Sequence, residues 1–282
     1  AVRHLMRASL GIVFVLGFAG CDPPSPRTTL EPDPAPDALV VARPIARRER
    51  PSLETPTRAE TPVVVELFSS EGCSSCPPAD LVLGELSTKQ GIPGANVIAL
   101  ELHVDYWNDL GWADPFSSSD FSARQRGYSR AASRRGAFTP EAIVDGRASV
   151  VGSDTGRLTS EVEAAAARAH IDVTLRTRND GSLEAVSSAR PSEASSYWLA
   201  ITEAGLVTEV KAGENRGQTL RHAPVVRSLE RVGSVTLEPT RIELPPVKSA
   251  KGELSAVVFV QHDDDLAIIG ANTVPLARAP GG

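Results

Sequence analysis

Glu71-Gly72-Cys73-Ser74-Ser75-Cys76-Pro77-Pro78 follows closely on Val63-Val64-Val65-Glu66-Leu67-Phe68 and leads into a helix-forming stretch over residues 79–89. The β-branched run fits a strand buried on both faces, so the two cysteines fall on the turn between a strand and a helix. Cysteines three apart on such a turn meet disulfide geometry, with Cα atoms about 5–6 Å apart. The same place exposes the first thiol and sets backbone N–H groups and a helix end against its thiolate, the nucleophile of exchange. Cys73 is therefore expected to attack and Cys76 to resolve. Pro77 and Pro78 donate no backbone hydrogen bond, and a residue before proline resists the α conformation, so the helix is expected to start at Pro77. Two other readings stay open. One is an inert disulfide stapling a turn; the other is zinc binding, for which a single C-x-x-C lacks a second ligand pair.

Beyond the first helix the pattern predicts a strand over 96–104, a loop with Tyr106, Trp107 and Trp112, and a helix over 120–134. A strand with a tight turn follows at 141–147, then a last helix through residue 169, capped by Asp154 or Thr155. The order β, α, β, α, β, β, α suits a single α/β domain over residues 62–169, with helices on both faces of a sheet. After His170 short strand-like stretches are punctuated by Asn179-Asp180-Gly181 and Asp263-Asp264-Asp265. They predict a smaller antiparallel, β-sandwich-like domain over residues 170–282.

In the other direction, residues 22–61 are rich in proline and lack apolar periodicity, which reads as an extended tether spanning about 3 Å per residue. Arg3, His4 and Arg7 precede an apolar run over residues 10–20, the pattern of a signal peptide, with Met6 as its expected start. That run is short of the roughly 20 residues a bilayer-spanning helix needs. Phe18-Ala19-Gly20-Cys21 resembles the lipobox of bacterial lipoproteins, in which the cysteine thiol takes a diacylglyceryl group and becomes the mature N-terminus. Phe in place of the usual Leu keeps ordinary secretion as an alternative. Asp22 resembles an inner-membrane retention signal. The chain of 282 residues is 41% hydrophobic, enough to bury a core, and its 29 basic against 35 acidic residues give a formal charge of -6. Such a charge attracts neither nucleic acid nor anionic lipid, so membrane attachment requires the anchor at Cys21. Of three cysteines, processing claims one, and export sets Cys73 and Cys76 in an oxidising compartment.

The strand, C-x-x-C and helix, followed by Gly136-Ala137-Phe138-Thr139-Pro140-Glu141-Ala142-Ile143-Val144-Asp145-Gly146, resemble the thioredoxin superfamily. The resemblance implies a cis Pro140 facing the cysteines, with Thr139 offering backbone groups to an extended substrate. It also places Glu66 about where that superfamily keeps a buried acid that exchanges protons with the resolving cysteine. Residues 65–80, His103-Val104-Asp105-Tyr106-Trp107, Gly111-Trp112-Ala113-Asp114-Pro115-Phe116, 213–222 and Val225-Val226-Arg227 are similar to the exported thioredoxin-like family catalogued as domain of unknown function 1223.

His103, Tyr106 and Trp107 end the second strand on the rim of the C-x-x-C and are expected to line a substrate groove. His103 also supports the alternative of a metal- or ligand-binding module, because imidazole and thiolates suit copper or zinc. The arginines at 124, 126, 130, 134 and 135 read as a solvated face, and His222 and Arg227 as ties within the second domain. The sequence thus points to thiol-disulfide exchange with thiol- or disulfide-containing envelope proteins, reset by a redox partner. It asks for no cofactor. An envelope scaffold with a structural disulfide is the remaining alternative.

Overall fold

The β-branched run forms strand β1 (Thr61–Ser69), whose last seven residues are all buried. The structure is a computed structural model describing residues 60–247 and 249–276. The signal segment, Cys21 and nearly all of the Pro-rich tether lie outside the described residues. β1 runs parallel to β2 (Ala95–His103) and antiparallel to β3 (Glu141–Val144). Its alternate residues serve two cores, which is why no polar alternation marks it. Val63, Val65 and Leu67 meet Leu83 of α1 (Pro77–Lys89) and Leu158 and Val162 of α3 (Thr155–Ala166). Val64 and Phe68 share the opposite core with Phe121 and Tyr128 of α2 (Ser119–Ala131).

The helix ends follow from local chemistry. α1 opens on Pro77, where a missing N–H costs nothing because a first-turn N–H has no partner in the helix. Cys76, with φ -79° and ψ -40°, is α-helical despite the proline after it. Its carbonyl accepts from the N–H groups of Ala79 at 2.8 Å and Asp80 at 3.2 Å. Asp154 caps α3 by accepting from the Arg157 N–H at 3.0 Å, and Ser118 caps α2.

The second half of the chain does not fold apart from the first. β5 (Val173–Thr177), β6 (Leu183–Ser187) and β11 (Thr240–Ile242) form a three-stranded antiparallel sheet. β8 (Val207–Glu209) and β9 (Thr219–Arg221) form a hairpin. The longer strands β7 (Ser195–Ala204), β10 (Val225–Ser234), β12 (Glu253–His262) and β13 (Ile268–Pro275) instead extend the first sheet. With β4 (Ala148–Val151) the order is β13-β12-β7-β10-β2-β1-β3-β4. The join is β10 beside β2, where Val225 pairs with Glu101 and the Pro224 carbonyl accepts the Glu101 N–H at 2.9 Å. The small antiparallel sheet packs on the large one, since Val173, Leu175 and Leu183 share a core with Tyr197, Leu199 and Val258. The boundary at 169/170 therefore marks a change from α/β to β texture rather than a break, and the described residues all fall in one unit. Among the described residues no helix is long and apolar enough to cross a membrane.

Asp145, in the β3–β4 turn, fastens this frame: its carboxylate accepts from the Val64 N–H at 2.8 Å and lies 3.0 Å from His170 Nε2. Burial opposes a charge on His170, but the hydrogen bond and the charge of Asp145 outweigh it and raise the imidazole pKa above 6.5. A raised folded-state pKa contributes stability that is fully present below the unfolded value and lost as pH rises through the folded one. The melting temperature of the protein is therefore expected to exceed that of His170→Gln by more at about pH 6 than at about pH 9. A constant difference across that range, measured by calorimetry, would remove the charge from the pairing.

Candidate functional site

Cys73 and Cys76 are joined in a disulfide, with Cα atoms 5.4 Å apart. β1 delivers the chain to the pair and two tight turns reverse it. The Ser70 carbonyl accepts the Cys73 N–H, and the Cys73 carbonyl the Cys76 N–H, each at 3.1 Å. Both cysteines are 0% exposed, whereas Ser74 and Ser75 between them are exposed. The expected open first thiol is thus covered, and three segments explain the cover. The Thr139–Pro140 peptide bond is cis, as expected, and the Thr139 hydroxyl donates to Cys73 Sγ at 3.3 Å. Trp107 Nε1 donates to that same hydroxyl oxygen at 2.9 Å. The third segment is the loop between β8 and β9. There Asn215 Nδ2 donates to the carbonyls of Glu71 at 2.9 Å and Cys73 at 3.0 Å, and Glu214 accepts the Ser74 N–H at 3.0 Å. Gly213 enters this loop at φ +73°, lying so close to Trp112 that a Cβ would stand 3.0 Å from that side chain.

Trp107 thus meets Thr139 directly. Tyr106 is exposed and donates its hydroxyl to Gln125 Oε1 at 3.1 Å; partial burial pushes the pKa of that hydroxyl up to about 12. Exposed Phe138 stands next to Thr139, its carbonyl accepting from Gln125 Nε2 at 2.7 Å.

Two expected site residues lie elsewhere. Glu66 is fully buried but shares its face of β1 with Val64 and Phe68, opposite the side that meets α1. There it accepts from Arg124 Nε at 2.5 Å and Nη2 at 3.1 Å, and from the Tyr128 hydroxyl. Side chains alternate across a strand, so one residue of register decides between cysteine and arginine. Arg124 correspondingly is buried rather than part of a solvated face. A buried acid does stand on the cysteine side: Asp80, four residues after Cys76 on α1 and thus on the same helix face. It accepts from the Ser69 hydroxyl at 2.6 Å, and burial, with the nearby Glu101 charge, holds its pKa well above 3.8. That i, i+4 spacing was visible in the sequence.

His103, expected in the groove, is 1% exposed and lies within a polar network under the cysteine loop. Its Nδ1 is 2.7 Å from Asp114 Oδ2 and its Nε2 2.9 Å from Glu101 Oε1. His222 Nδ1 reaches the same Glu101 oxygen at 3.2 Å, and its Nε2 lies 3.2 Å from Glu71 Oε1. Glu71 also accepts from Trp112 Nε1 at 2.7 Å, and its N–H donates to Asp114 Oδ2 at 2.8 Å. Burial opposes charge on both rings, but the carboxylates prevail: His103 is held well above 6.5 by Asp114 and Glu101, and His222 is raised to about 9. His222 is therefore a tie across the β2–β10 join, not one internal to the second half.

The profile of the family described as "Protein of unknown function (DUF1223)" matches residues 64–261. Among solved structures, the X-ray crystal structure of protein AGR_C_4864 from Agrobacterium tumefaciens is similar, with 30% sequence identity and a TM-score of 0.63. The match covers 79% of this chain and 98% of that one. Among curated proteins, none matches the chain.

Proposed function

The chain belongs to the DUF1223 family of proteins of unknown function, and from the geometry of its cysteine pair we propose that it exchanges disulfides with other proteins. The observation that carries this reading is the Cys73–Cys76 disulfide at the head of a helix, faced by the hydroxyl of Thr139 beside a cis proline. The reading of residues 62–169 as a thioredoxin-like unit draws support from the same elements, with parallel β1 and β2 and the antiparallel β3–β4 hairpin following the motif.

Once the cover over the pair parts, an incoming thiolate forms an S–S bond to Cys73 as the Cys73–Cys76 bond breaks, and the electron pair leaves on Cys76. A second thiolate of the partner then displaces Cys73, leaving the pair reduced by two electrons and the partner oxidised by two. The same steps reversed reduce a partner disulfide. The Thr139 hydroxyl supplies a hydrogen bond to the Cys73 sulfur as its charge grows. The proposed setting is the cell envelope, with the chain exported and anchored by lipid on Cys21. Its partners there are thiol- or disulfide-containing envelope proteins and a redox partner that resets the pair.

The test is the reduction potential of the pair in the full chain, followed by alkylation and mass shift across graded redox buffers. A value between about -120 and -270 mV is expected, within the range of exchange-active pairs. Cys76→Ser is expected to accumulate mixed disulfides through Cys73. A pair still oxidised below about -300 mV, together with no trapped partner, identifies a structural clip instead.

A further inference from the structure

Behind the cysteine loop, three donor atoms converge that disulfide exchange leaves unused: Glu101 Oε1, His103 Nε2 and His222 Nδ1, all within 4.8 Å of one another. We propose that Glu101, His103 and His222 bind a divalent first-row transition metal ion, with zinc the best-suited probe. The carboxylate oxygen stands 2.9 Å from one imidazole nitrogen and 3.2 Å from the other. In a tetrahedral site with metal–ligand bonds of about 2.0–2.1 Å, neighbouring ligand atoms lie about 3.3 Å apart, close to these two separations.

The outer contacts fit as well. Metal-binding histidines characteristically give the other ring N–H to a carboxylate, which fixes the tautomer. His103 Nδ1 faces Asp114 at 2.7 Å, and His222 Nε2 faces Glu71 Oε1 at 3.2 Å and the Thr208 hydroxyl at 3.3 Å. Each ring thus turns a carboxylate-backed nitrogen outward and its second nitrogen toward Glu101. Glu101 itself is 0% exposed, yet its Oε2 has no hydrogen-bond partner. A buried, unsatisfied carboxylate oxygen is costly, and a cation bound to this carboxylate would offset that cost. Glu71, Glu101 and Asp114 bring three carboxylates against the two imidazoles, and a divalent ion would supply that buried cluster with positive charge. The cysteines take no part, since each is bonded to the other.

The experiment uses tag-free full chain with its disulfide intact, stripped by chelator and titrated with zinc by calorimetry, then with cobalt for its absorption spectrum. One equivalent per chain and a tetrahedral cobalt spectrum without a thiolate charge-transfer band are expected. His222→Gln is expected to weaken zinc at least 100-fold, and Asp114→Asn, which removes an outer contact, about 10–100-fold. His262→Gln, at the separate set of Glu193, His262 and Asp265, is expected to leave binding unchanged. No binding by the unaltered chain overturns the proposal without reference to any variant's folding. So does loss of binding in His262→Gln, which would move the ligands elsewhere. Because the cysteines are not ligands, failure here leaves the exchange reading standing, and failure of exchange leaves this site standing.

Discussion

Arg124→Ala lowers the free energy of unfolding by about 3–5 kcal/mol, the usual cost of removing one partner of a buried ion pair. Glu66 is fully buried and the Arg124 side chain is 9% exposed. The guanidinium lies over the rings of Tyr128, Trp198 and Phe259, with centroids 5.1, 4.9 and 5.4 Å away. It also donates to Gln261 Oε1 at 3.2 Å, so one side chain on α2 links β1, β7 and β12. Without it the Glu66 carboxylate keeps its Tyr128 contact but loses its counter-charge in a medium that solvates it poorly. Much of the loss belongs to the stranded charge rather than to the bond. Glu66→Leu combined with Arg124→Met is therefore expected to recover most of it, as apolar replacement of buried pairs commonly does. Urea unfolding of the two single variants and the double variant checks this. A loss below about 1 kcal/mol in Arg124→Ala would place the pair among solvent-exposed bridges.

Gly146→Ala is the second large effect, expected to cost roughly 2–6 kcal/mol. Gly146 has φ +69°, a conformation that costs a residue with a Cβ about 1–3 kcal/mol. A Cβ there would also stand 2.0 Å from the Leu266 carbonyl oxygen, and relieving such an overlap costs about 1–3 kcal/mol more. The affected contact is the dock between the β3–β4 turn and the β12–β13 hairpin, where the Ile268 N–H donates to the Asp145 carbonyl at 2.9 Å. Amide hydrogen exchange should quicken first at Ile268 and neighbouring residues of β13. An unfolding midpoint within experimental error of the unaltered chain would mean the turn can shift without loosening the hairpin.

Local chemistry made part of this architecture legible. Val63 to Phe68 reads as a strand because it is apolar on both faces, Pro77 opens a helix because of its own ring, and Asp154 caps one with its own carboxylate. The cis Pro140 came from resemblance to a known motif. What stayed hidden depends on partners far along the chain. β10 carries Arg227, Glu230 and Arg231, and only Val225 and Val226 are fully buried, so its central place in the sheet leaves little apolar pattern to read. The side to which Glu66 points depends on register, and its arginine is 58 residues away. His103 looked like a rim residue because its neighbours are; its carboxylates at Glu101 and Asp114 come from opposite directions along the chain. Asn215 offered no local sign that its amide would reach Cys73.

That amide has a consequence in time. Asn215 lies 142 residues beyond the carbonyl it holds at Cys73. A chain emerging N-terminus first therefore presents both cysteines long before it has made the loop that covers them. During that interval the cysteine loop lacks the hydrogen bonds that Asn215 and Glu214 give its backbone, and it gains them only when the loop between β8 and β9 has been made. The cysteine loop is in this sense a record of completion: in a molecule stopped short of residue 215 it would rest on Trp107 and Thr139 alone, and only a finished one holds it from both halves of the chain.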